Sequence, residues 1–364
     1  MPAGFAGHNK PAMRPAAVHG CLAALRQPAL LLLAVLITGC DAPRELLRFE
    51  GPTMGTRYHI SVVAPPTGTG REALQSDIDM VLARVDITMS TWRADSEISR
   101  LNARPPGDWM TVSGNLHRVL EASLRMHALS GGAFDVTVAP LLEAWGFGPR
   151  SVGPRTPSAQ ELETLSGRVG SAAITLADAP LRVRKSADRT LELSAIAPGY
   201  AVDLLAARFA GRGLSDFMIE IGGEVRTAGR NAAGKAWRIG IERPDAPPGT
   251  PQLSLALSGE SASTSGDYRE FFESEGRRYS HTIDPRTLRP VAHRLASVTV
   301  VAGDCMSADA LSTALMVLGP EEGLAFAERE GIAAYMLVRT AHGFTARHSR
   351  AFTPHLDQTN VPDK

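Results

Sequence analysis

The sequence predicts an α+β protein in which mixed or antiparallel β-sheets pack against helices. Strand-like and helix-like segments are interspersed along its 364 residues, without the strict strand–helix alternation of a parallel α/β fold. Hydrophobic residues make up 44% of the chain and charged residues 21%, as in ordinary globular proteins. The formal net charge is zero, which gives no indication of nucleic-acid binding.

The N-terminal segment resembles a bacterial secretion signal. Residues 1–39 carry basic but no acidic side chains, and "PALLLLAVLITGC" (28–40) is almost entirely apolar. Its apolar core of about a dozen residues is shorter than the ~20 needed to span a membrane. The small residues before Cys40 resemble a lipobox, which implies cleavage there and lipidation of the Cys40 thiol. A plain signal peptide, or a short anchor with an incidental cysteine, is the alternative.

A lipidated Cys40 predicts membrane attachment, because two acyl chains give stable anchoring. Asp41 follows, which in many Gram-negative bacteria marks retention at the inner membrane, so we expect the periplasmic face of the cell inner membrane. Cys305 is then the only free cysteine, which excludes an internal disulfide. The predicted divisions are a signal peptide over 1–39, a lipid-anchored linker over 40–50, a folded domain over 51–352 and a flexible tail over 353–364.

Hydrophobic periodicity predicts the elements in chain order. Strands are expected at 57–64, 217–221, 237–242, 252–257, 296–302 and 333–339. Helices are expected at 71–92, 115–132, 198–213 and 307–319, with a short one begun by a capping box of Ser158 and Glu161. Turns at Gly222-Gly223 and at 274–276 each predict a pair of strands.

Asp309 and Thr313 are four residues apart and therefore share one face of the helix predicted at 307–319. A carboxylate and a hydroxyl one turn apart are oxygen ligands of the kind that magnesium or calcium prefers. Alternatively, Thr313 bonds to its own helix and Asp309 stabilises the first turn.

Two further segments allow a ligand or a purely structural interpretation. The small-residue stretch 193–203 leads into a helix whose first N–H groups suit a phosphate, or it is an ordinary helix entry. In 131–148, Asp135 is either a cap or a ligand group, and Trp145 is more typical of a core than of a stacking platform.

The segment 263–290 is the most specific. A returning strand brings His281, Thr282 and Asp284 beside "STS" at 263–265. A histidine in this position suits a general base or a phosphate contact, and the alternative is a surface or core histidine.

These segments occur in one order: "MGTRYHI" (54–60), "STWRADSEISRLN" (90–102), "GGAFDVTVAPLLEAWGFG" (131–148), "AIAPGYAVD" (195–203), "IEIGGE" (219–224), "STSGDY" (263–268), "SHTIDP" (280–285) and "SADALSTAL" (307–315). From about Gly51 to Ala351 the chain resembles the FAD:protein FMN transferases, or ApbE-like lipoproteins. The resemblance implies an ApbE-like, T-fold-related flavin transferase fold.

The resemblance implies that FAD is bound, its pyrophosphate is broken, FMN is joined to a threonine hydroxyl of a partner protein through a phosphoester, and AMP leaves. Family acceptors are periplasm-facing subunits of redox pumps and reductases with a Ser/Thr-Gly-Ala-Thr-like motif. The alternatives are a lipoprotein that stores FAD and an FAD pyrophosphatase that releases FMN and AMP.

The resemblance also assigns roles. The metal, magnesium with calcium or manganese as alternatives, takes the Ala195 carbonyl, the Asp309 carboxylate and the Thr313 hydroxyl. His281 is the base, and Asp284 orients it or binds substrate. The positions that match the cofactor site are Met54, Trp92, Ala133, Phe134, Asp135, Glu192, Pro198 and Ile283.

Two positions depart from the family pattern. Pro198 replaces the usual lysine, so a positive charge that could meet the phosphates or the adenosine is missing. Arg269, Arg277 and Arg286 are the candidates to replace it. Leu288 stands where glycine is usual, so the resemblance does not fix the shape of that turn.

Overall fold

A computed structural model of the chain describes residues 44–148, 151–247, 249–268 and 270–356. The predicted signal peptide over 1–39, Cys40 and Arg269 lie outside the described residues. Within the part of the chain that is described, no helix is both long and apolar enough to cross a membrane.

The strands and helices alternate irregularly along the chain. The strands are β1 (Leu46–Thr53), β2 (Thr56–Val63), β3 (Trp109–Thr111), β4 (Ile174–Asp178), β5 (Leu181–Lys185), β6 (Phe217–Ile221), β7 (Glu224–Ala228), β8 (Trp237–Glu242), β9 (Pro251–Leu257), β10 (Ser261–Gly266), β11 (Phe271–Ser274), β12 (Arg277–Ser280), β13 (Ile283–Asp284), β14 (Arg289–Pro290), β15 (Leu295–Ala302), β16 (Ala333–Thr340) and β17 (Gly343–His348). The helices are α1 (Arg71–Met89), α2 (Glu97–Asn102), α3 (Gly114–Leu129), α4 (Ala139–Trp145), α5 (Ala159–Ser166), α6 (Ala197–Gly211), α7 (Cys305–Glu330) and α8 (Thr353–Leu356).

The central sheet has eight strands in the order β1-β2-β6-β7-β10-β15-β16-β17, and every neighbouring pair is antiparallel. This arrangement confirms the predicted α+β class. Strand β15 is buried along almost its whole length because both of its faces are covered: Val298 and Val300 pack with residues of α7, whereas Val301 packs with Tyr335 and Phe352 on the opposite face.

Helices α6 and α7 cover the face of the sheet that carries the candidate site. The next helix outward, α1, is joined to α6 through the buried Asp77, whose carboxylate accepts hydrogen bonds from Arg208 and Arg212. The bond from Arg212, with that from Arg208, lowers the pKa of Asp77 even though burial opposes the shift. Because breaking a buried ion pair leaves an uncompensated charge, this contact fixes α1 against α6.

Helix α7 is longer than predicted. The helix was expected to end at Gly319, but it only kinks there. Gly319 has φ +80°, Pro320 follows, and the helix then continues to Glu330. A Cβ at Gly319 would lie 2.6 Å from a ring carbon of His293, so only glycine allows this close approach. The helix stop signal was correctly located, but the packed residues after Pro320 restart the helix.

The ordered region extends beyond both predicted boundaries. Strand β1 begins at Leu46, inside the predicted linker 40–50, and pairs with β2 along its whole length. At the other end, α8 occupies the first four residues of the predicted tail 353–364, and His355 on it is buried. Helix α1 ends at Met89 rather than at 92, which leaves Trp92 in the following turn.

Candidate active site

Asp309 lies where α6 and α7 touch. Its Oδ2 atom accepts a hydrogen bond of 3.0 Å from the backbone N–H of Gly199 on α6. A Cβ on residue 199 would lie 2.5 Å from the Cys305 carbonyl oxygen and 2.8 Å from Cβ of Asp309. Glycine is therefore required here for the two helices to meet and for Asp309 to reach the start of α6.

The carbonyl of Ala195 is also unpaired. Ala195 precedes Ile196, the N-cap of α6, whose carbonyl accepts the first bond of the helix from Tyr200 N–H. Gly199 N–H, one of the helix-start donors without an intrahelical acceptor, is directed to Asp309. Among the described residues, no backbone N–H donates to the Ala195 carbonyl, and no partner is found for Oδ1 of Asp309. Two of the three predicted metal ligands thus present free oxygen atoms.

The start of α6 does not offer N–H groups to a phosphate. Ala197 N–H donates to the Leu193 carbonyl at 2.8 Å, Pro198 has no N–H, and Gly199 N–H is taken by Asp309. Because these N–H groups are already paired within the protein, they support the interpretation of 193–203 as an ordinary helix entry. Pro198 occupies the first turn of α6, where its missing N–H costs nothing.

Carboxyl groups without a cationic partner surround Asp309. Burial raises the pKa of Asp309 to about 7. Burial, together with the charge of Asp309, also raises the pKa of Glu224 well above its usual value, and burial raises the pKa of Glu192. Within the described part of the chain, no lysine or arginine pairs with Asp309 or Glu224. A bound cation would supply the missing positive charge.

Thr313, the third predicted ligand, does not bond to its own helix. The side chain that does is Ser312, whose Oγ lies 2.9 Å from the Asp309 carbonyl oxygen. The described partner of Thr313 Oγ1 is Ser265 Oγ on β10, at 3.5 Å. The carbonyl, carboxylate and hydroxyl oxygens of the predicted set fit a hard divalent cation. Among the described residues, no group of three His, Cys, Asp or Glu side chains is placed to hold a metal ion. The predicted ligand set does not need such a group, because Asp309 is its only side chain of these four types.

His281 is held in one tautomer by the backbone. Its own N–H donates to the Glu270 carbonyl at 3.1 Å, and its ring Nδ1 lies 3.1 Å from the same oxygen. Because a carbonyl oxygen only accepts, Nδ1 carries the hydrogen, and Nε2 of the neutral ring is left with a lone pair. The geometry therefore suits the predicted role of His281 as a base.

An aromatic cluster supports the hairpin that carries His281. The β11–β12 hairpin turns at Glu275 and Gly276, which confirms the turn predicted at 274–276. Phe272 stacks on Tyr279 with ring centroids 5.0 Å apart. On the other side of these rings lie Trp145 and Phe147, and Phe147 reaches the His281 ring edge-on at 6.4 Å. Trp145 is buried, as expected for a core residue.

Asp284 is engaged by Arg286 and not by His281. The Asp284 carboxylate accepts bonds from the backbone N–H, Nε and Nη2 of Arg286, and that arginine also bonds to Glu322. The bond to Asp284 raises the pKa of Arg286. These contacts do not support the expectation that Asp284 orients His281, and the alternative, that Asp284 binds substrate, stays a prediction. Arg286 is likewise not free to replace the missing lysine charge.

Asp135 is saturated by contacts within the protein. Its two oxygens accept from the N–H and hydroxyl groups of Thr137 and Ser171, and His127 Nδ1 lies 3.2 Å away. Burial opposes ionisation, but the bonds from His127, Thr137 and Ser171 outweigh it and lower the pKa of Asp135 to about 2. Asp135 fixes the shape of the 133–135 segment, and its carboxylate is occupied.

The other predicted cofactor positions differ in exposure. Met54 has φ +46° in the turn between β1 and β2. Trp92 is 76% exposed, so its ring is accessible to a flat ligand. Ala133, Phe134 and Ile283 are buried.

Sequence reasoning missed several features of the site: the roles of Gly199, Glu224, Ser265 and Ser312. The only signals were the quoted motifs "IEIGGE", "STSGDY" and "SADALSTAL". Leu288 has φ +64°, in the left-handed region that favours glycine, and its carbonyl accepts a bond of 3.1 Å from Trp145 Nε1.

Solved structures with the same fold define the class of protein as flavin transferases. The apo form of flavinyl transferase ApbE from Pseudomonas stutzeri has a TM-score of 0.80 and 41% identity, covering 86% of this chain and 97% of that one. The apbe protein from Thermotoga maritima has a TM-score of 0.76 and 28% identity, covering 86% and 99%.

Sequence comparison gives the same result. The model described as "ApbE family" matches residues 54–336. The FAD:protein FMN transferase of Vibrio cholerae is 40% identical over 324 residues, covering 89% of this chain and 97% of that protein. The enzyme of the same name from Haemophilus influenzae is 36% identical, covering 88% and 94%. This chain belongs to the ApbE family, as its motifs predicted.

Proposed function

We propose that this protein transfers FMN from FAD to a threonine hydroxyl of a partner protein. The observation that carries the proposal is the α6–α7 junction, where Gly199 N–H is directed to Asp309 and the nearby Ala195 carbonyl accepts no backbone hydrogen bond from the described residues. Such a site, in a chain that covers almost the full length of relatives named FAD:protein FMN transferase, supports a role in binding and cleaving a flavin dinucleotide.

The transfer forms one P–O bond and breaks another. The acceptor threonine oxygen bonds to the phosphorus of the FMN half, and the bond from that phosphorus to the bridging oxygen breaks. AMP leaves with the bridging oxygen. The hydroxyl proton passes to Nε2 of His281, whose Nδ1–H is held by the Glu270 carbonyl.

A divalent cation would be held by the Ala195 carbonyl, the Asp309 carboxylate and the Thr313 hydroxyl. Magnesium suits these oxygen ligands, with calcium or manganese as alternatives. When bound, it would offset the charge that develops on the diphosphate. The flavin half would lie against Met54, Trp92 and the 133–135 segment, and Trp92 is open to stacking.

The proposed partners follow from the family. Acceptors would be periplasm-facing subunits of redox pumps or reductases with a Ser/Thr-Gly-Ala-Thr-like motif. We further propose that residues 1–39 are a signal peptide and that lipid on Cys40 tethers the protein to the periplasmic face of the inner membrane.

Incubation of the purified protein with FAD, Mg²⁺ and an acceptor peptide tests the proposal. The expected result is a covalent mass gain of one FMN on the threonine, together with AMP. A peptide with valine in place of that threonine is the matched control and should gain nothing. Bound FAD without turnover would indicate storage, and free FMN and AMP without labelled peptide would indicate a pyrophosphatase. Either outcome would overturn the proposal.

A further inference from the structure

Four hydroxyl groups form a chain between β10 and α7. Ser265 Oγ lies 2.8 Å from Ser312 Oγ and 3.5 Å from Thr313 Oγ1. Ser263 Oγ lies 3.2 Å from Ser312 Oγ. Ser312 and Ser263 are buried, at 0% and 1% exposure, so solvent does not compete for these hydrogen bonds. The chain therefore connects the sheet to the helix that carries Asp309.

The direction of these hydrogen bonds follows from one fixed acceptor. Ser312 Oγ lies 2.9 Å from the carbonyl oxygen of Asp309, which can only accept, so the single hydroxyl hydrogen of Ser312 is used there. Ser312 must then accept from Ser265. Having donated its own hydrogen, Ser265 can meet the Thr313 hydroxyl only as an acceptor.

A hydroxyl that binds a cation must present an oxygen lone pair and direct its hydrogen elsewhere. The order Thr313 to Ser265 to Ser312 to the Asp309 carbonyl meets this requirement. If the order were reversed, Ser265 would donate to Thr313 and occupy one of its two lone pairs, and the hydrogen of Thr313 would lose Ser265 as its acceptor.

We propose that Ser265 is a positioning residue: by accepting the hydrogen of Thr313, it keeps the lone pairs of that hydroxyl available to a divalent cation. The inference rests on the cation site of the proposed function. It adds a residue on β10 that does not touch the cation but sets the affinity for it.

Ser263 provides a matched control on the same strand and the same face. Its hydroxyl donates to Glu224 Oε1 at 3.4 Å and lies 3.2 Å from Ser312 Oγ, but it does not contact Thr313. Removing the Ser263 hydroxyl leaves the path from Thr313 to the Asp309 carbonyl complete. If weaker packing between β10 and α7 were the cause, both serine-to-alanine variants would lose cation affinity. If the direction of the Thr313 hydrogen bond is the cause, only the Ser265 variant would lose it.

The test is a calorimetric titration of the purified protein with Mn²⁺ alone. We expect Ser265→Ala to bind Mn²⁺ about tenfold more weakly, as for other residues that orient metal ligands, and Ser263→Ala to bind as the wild type does. In transfer assays, Ser265→Ala should need about tenfold more Mn²⁺ for half-maximal rate and recover the wild-type rate at saturation.

Asp309→Ala separates the two ideas. If it binds Mn²⁺ as tightly as the wild type, the cation site of the proposed function is wrong. If Asp309→Ala loses binding while Ser265→Ala retains wild-type affinity, or if Ser263→Ala is weakened as much as Ser265→Ala, only the positioning role is wrong.

Should Ser265→Ala not fold, Ser312→Ala serves instead, because it frees the Ser265 hydrogen to turn toward Thr313. It should also weaken Mn²⁺ binding, and unchanged affinity would overturn the role.

Discussion

The two halves of the candidate site are built differently. The cation region, which comprises Ala195, Gly199, Ser265, Asp309 and Thr313, joins two helices and a central strand through buried contacts between residues 47 to 110 positions apart. The base arm, the β11–β12 hairpin with His281, is a local turn whose backbone bonds join residues close in sequence. Substitutions in the cation region should therefore change cation binding, whereas those in the base arm should change rate alone.

The largest expected effect is in the cation region. Asp309→Ala removes the only carboxylate of the predicted ligand set, so we expect transfer to fall by at least about 100-fold and Mn²⁺ binding to be lost. Removing a buried group whose pKa is raised by burial should not destabilise the metal-free protein. Transfer assays, calorimetry and thermal unfolding measure the three quantities.

Asp304→Ala is a control for Asp309 on the same helix. Asp304 caps the start of α7 through a bond of 2.8 Å from Ser307 N–H. Its loss should cost about 1 kcal/mol of stability and leave Mn²⁺ affinity unchanged. If Asp304→Ala abolished transfer as Asp309→Ala does, the helix start and not the ligand set would be responsible.

The next effect is in the base arm. His281→Ala removes the group that takes the acceptor proton, so transfer should slow by about 10² to 10⁴-fold while FAD and Mn²⁺ affinities stay near those of the wild type. Single-turnover transfer and equilibrium titrations separate these quantities. His342, in the exposed turn between β16 and β17, is the matched histidine for an alanine control. A normal transfer rate in His281→Ala would refute its role as base.

A pH effect should distinguish the regions further. Because burial raises the pKa of Asp309 to about 7, a cation must displace a proton below that pH. We expect Mn²⁺ affinity to be about tenfold weaker at pH 6 than at pH 8. Conversely, the contribution of Asp309 to the stability of the metal-free protein is fully present below the pKa that Asp309 has in the unfolded chain. It is lost as the pH rises through about 7, the raised pKa in the folded protein. Asp309→Asn should remove both dependences, and equal wild-type affinity at the two pH values would contradict the assignment.

The smallest expected effect concerns the missing lysine charge. Pro198→Lys restores the positive charge usual in the family at the first turn of α6, and we expect about fivefold tighter FAD binding at low salt. High salt should reduce the gain, because salt screens charges near the surface. Pro198→Gln is the neutral control. If the lysine and glutamine variants bound FAD equally, position 198 would not face the charged part of the ligand.

The contrast between the regions also explains what the sequence could predict. Local signals located the β11–β12 turn, the Gly222-Gly223 hairpin and the capping box, where Ser158 Oγ does accept from Glu161 N–H. The information for these three features lies within a few residues of each.

The rest depends on residues distant in sequence. Strand β1 was missed because its place is fixed by pairing with β2. The Asp309 contact needs Gly199 on another helix, and the hydroxyl chain needs β10 beside α7. Orientation of His281 was one of two roles expected of Asp284, because the pattern did not indicate that the nearby Arg286 would bind its carboxylate.

The cation site can be located by anomalous diffraction from crystals grown with FAD and Mn²⁺. We expect a Mn²⁺ peak bonded to the Ala195 carbonyl, the Asp309 carboxylate and the Thr313 hydroxyl, with the FAD diphosphate completing its coordination. A peak elsewhere, or a diphosphate bound with no metal at these oxygens, would contradict this expectation.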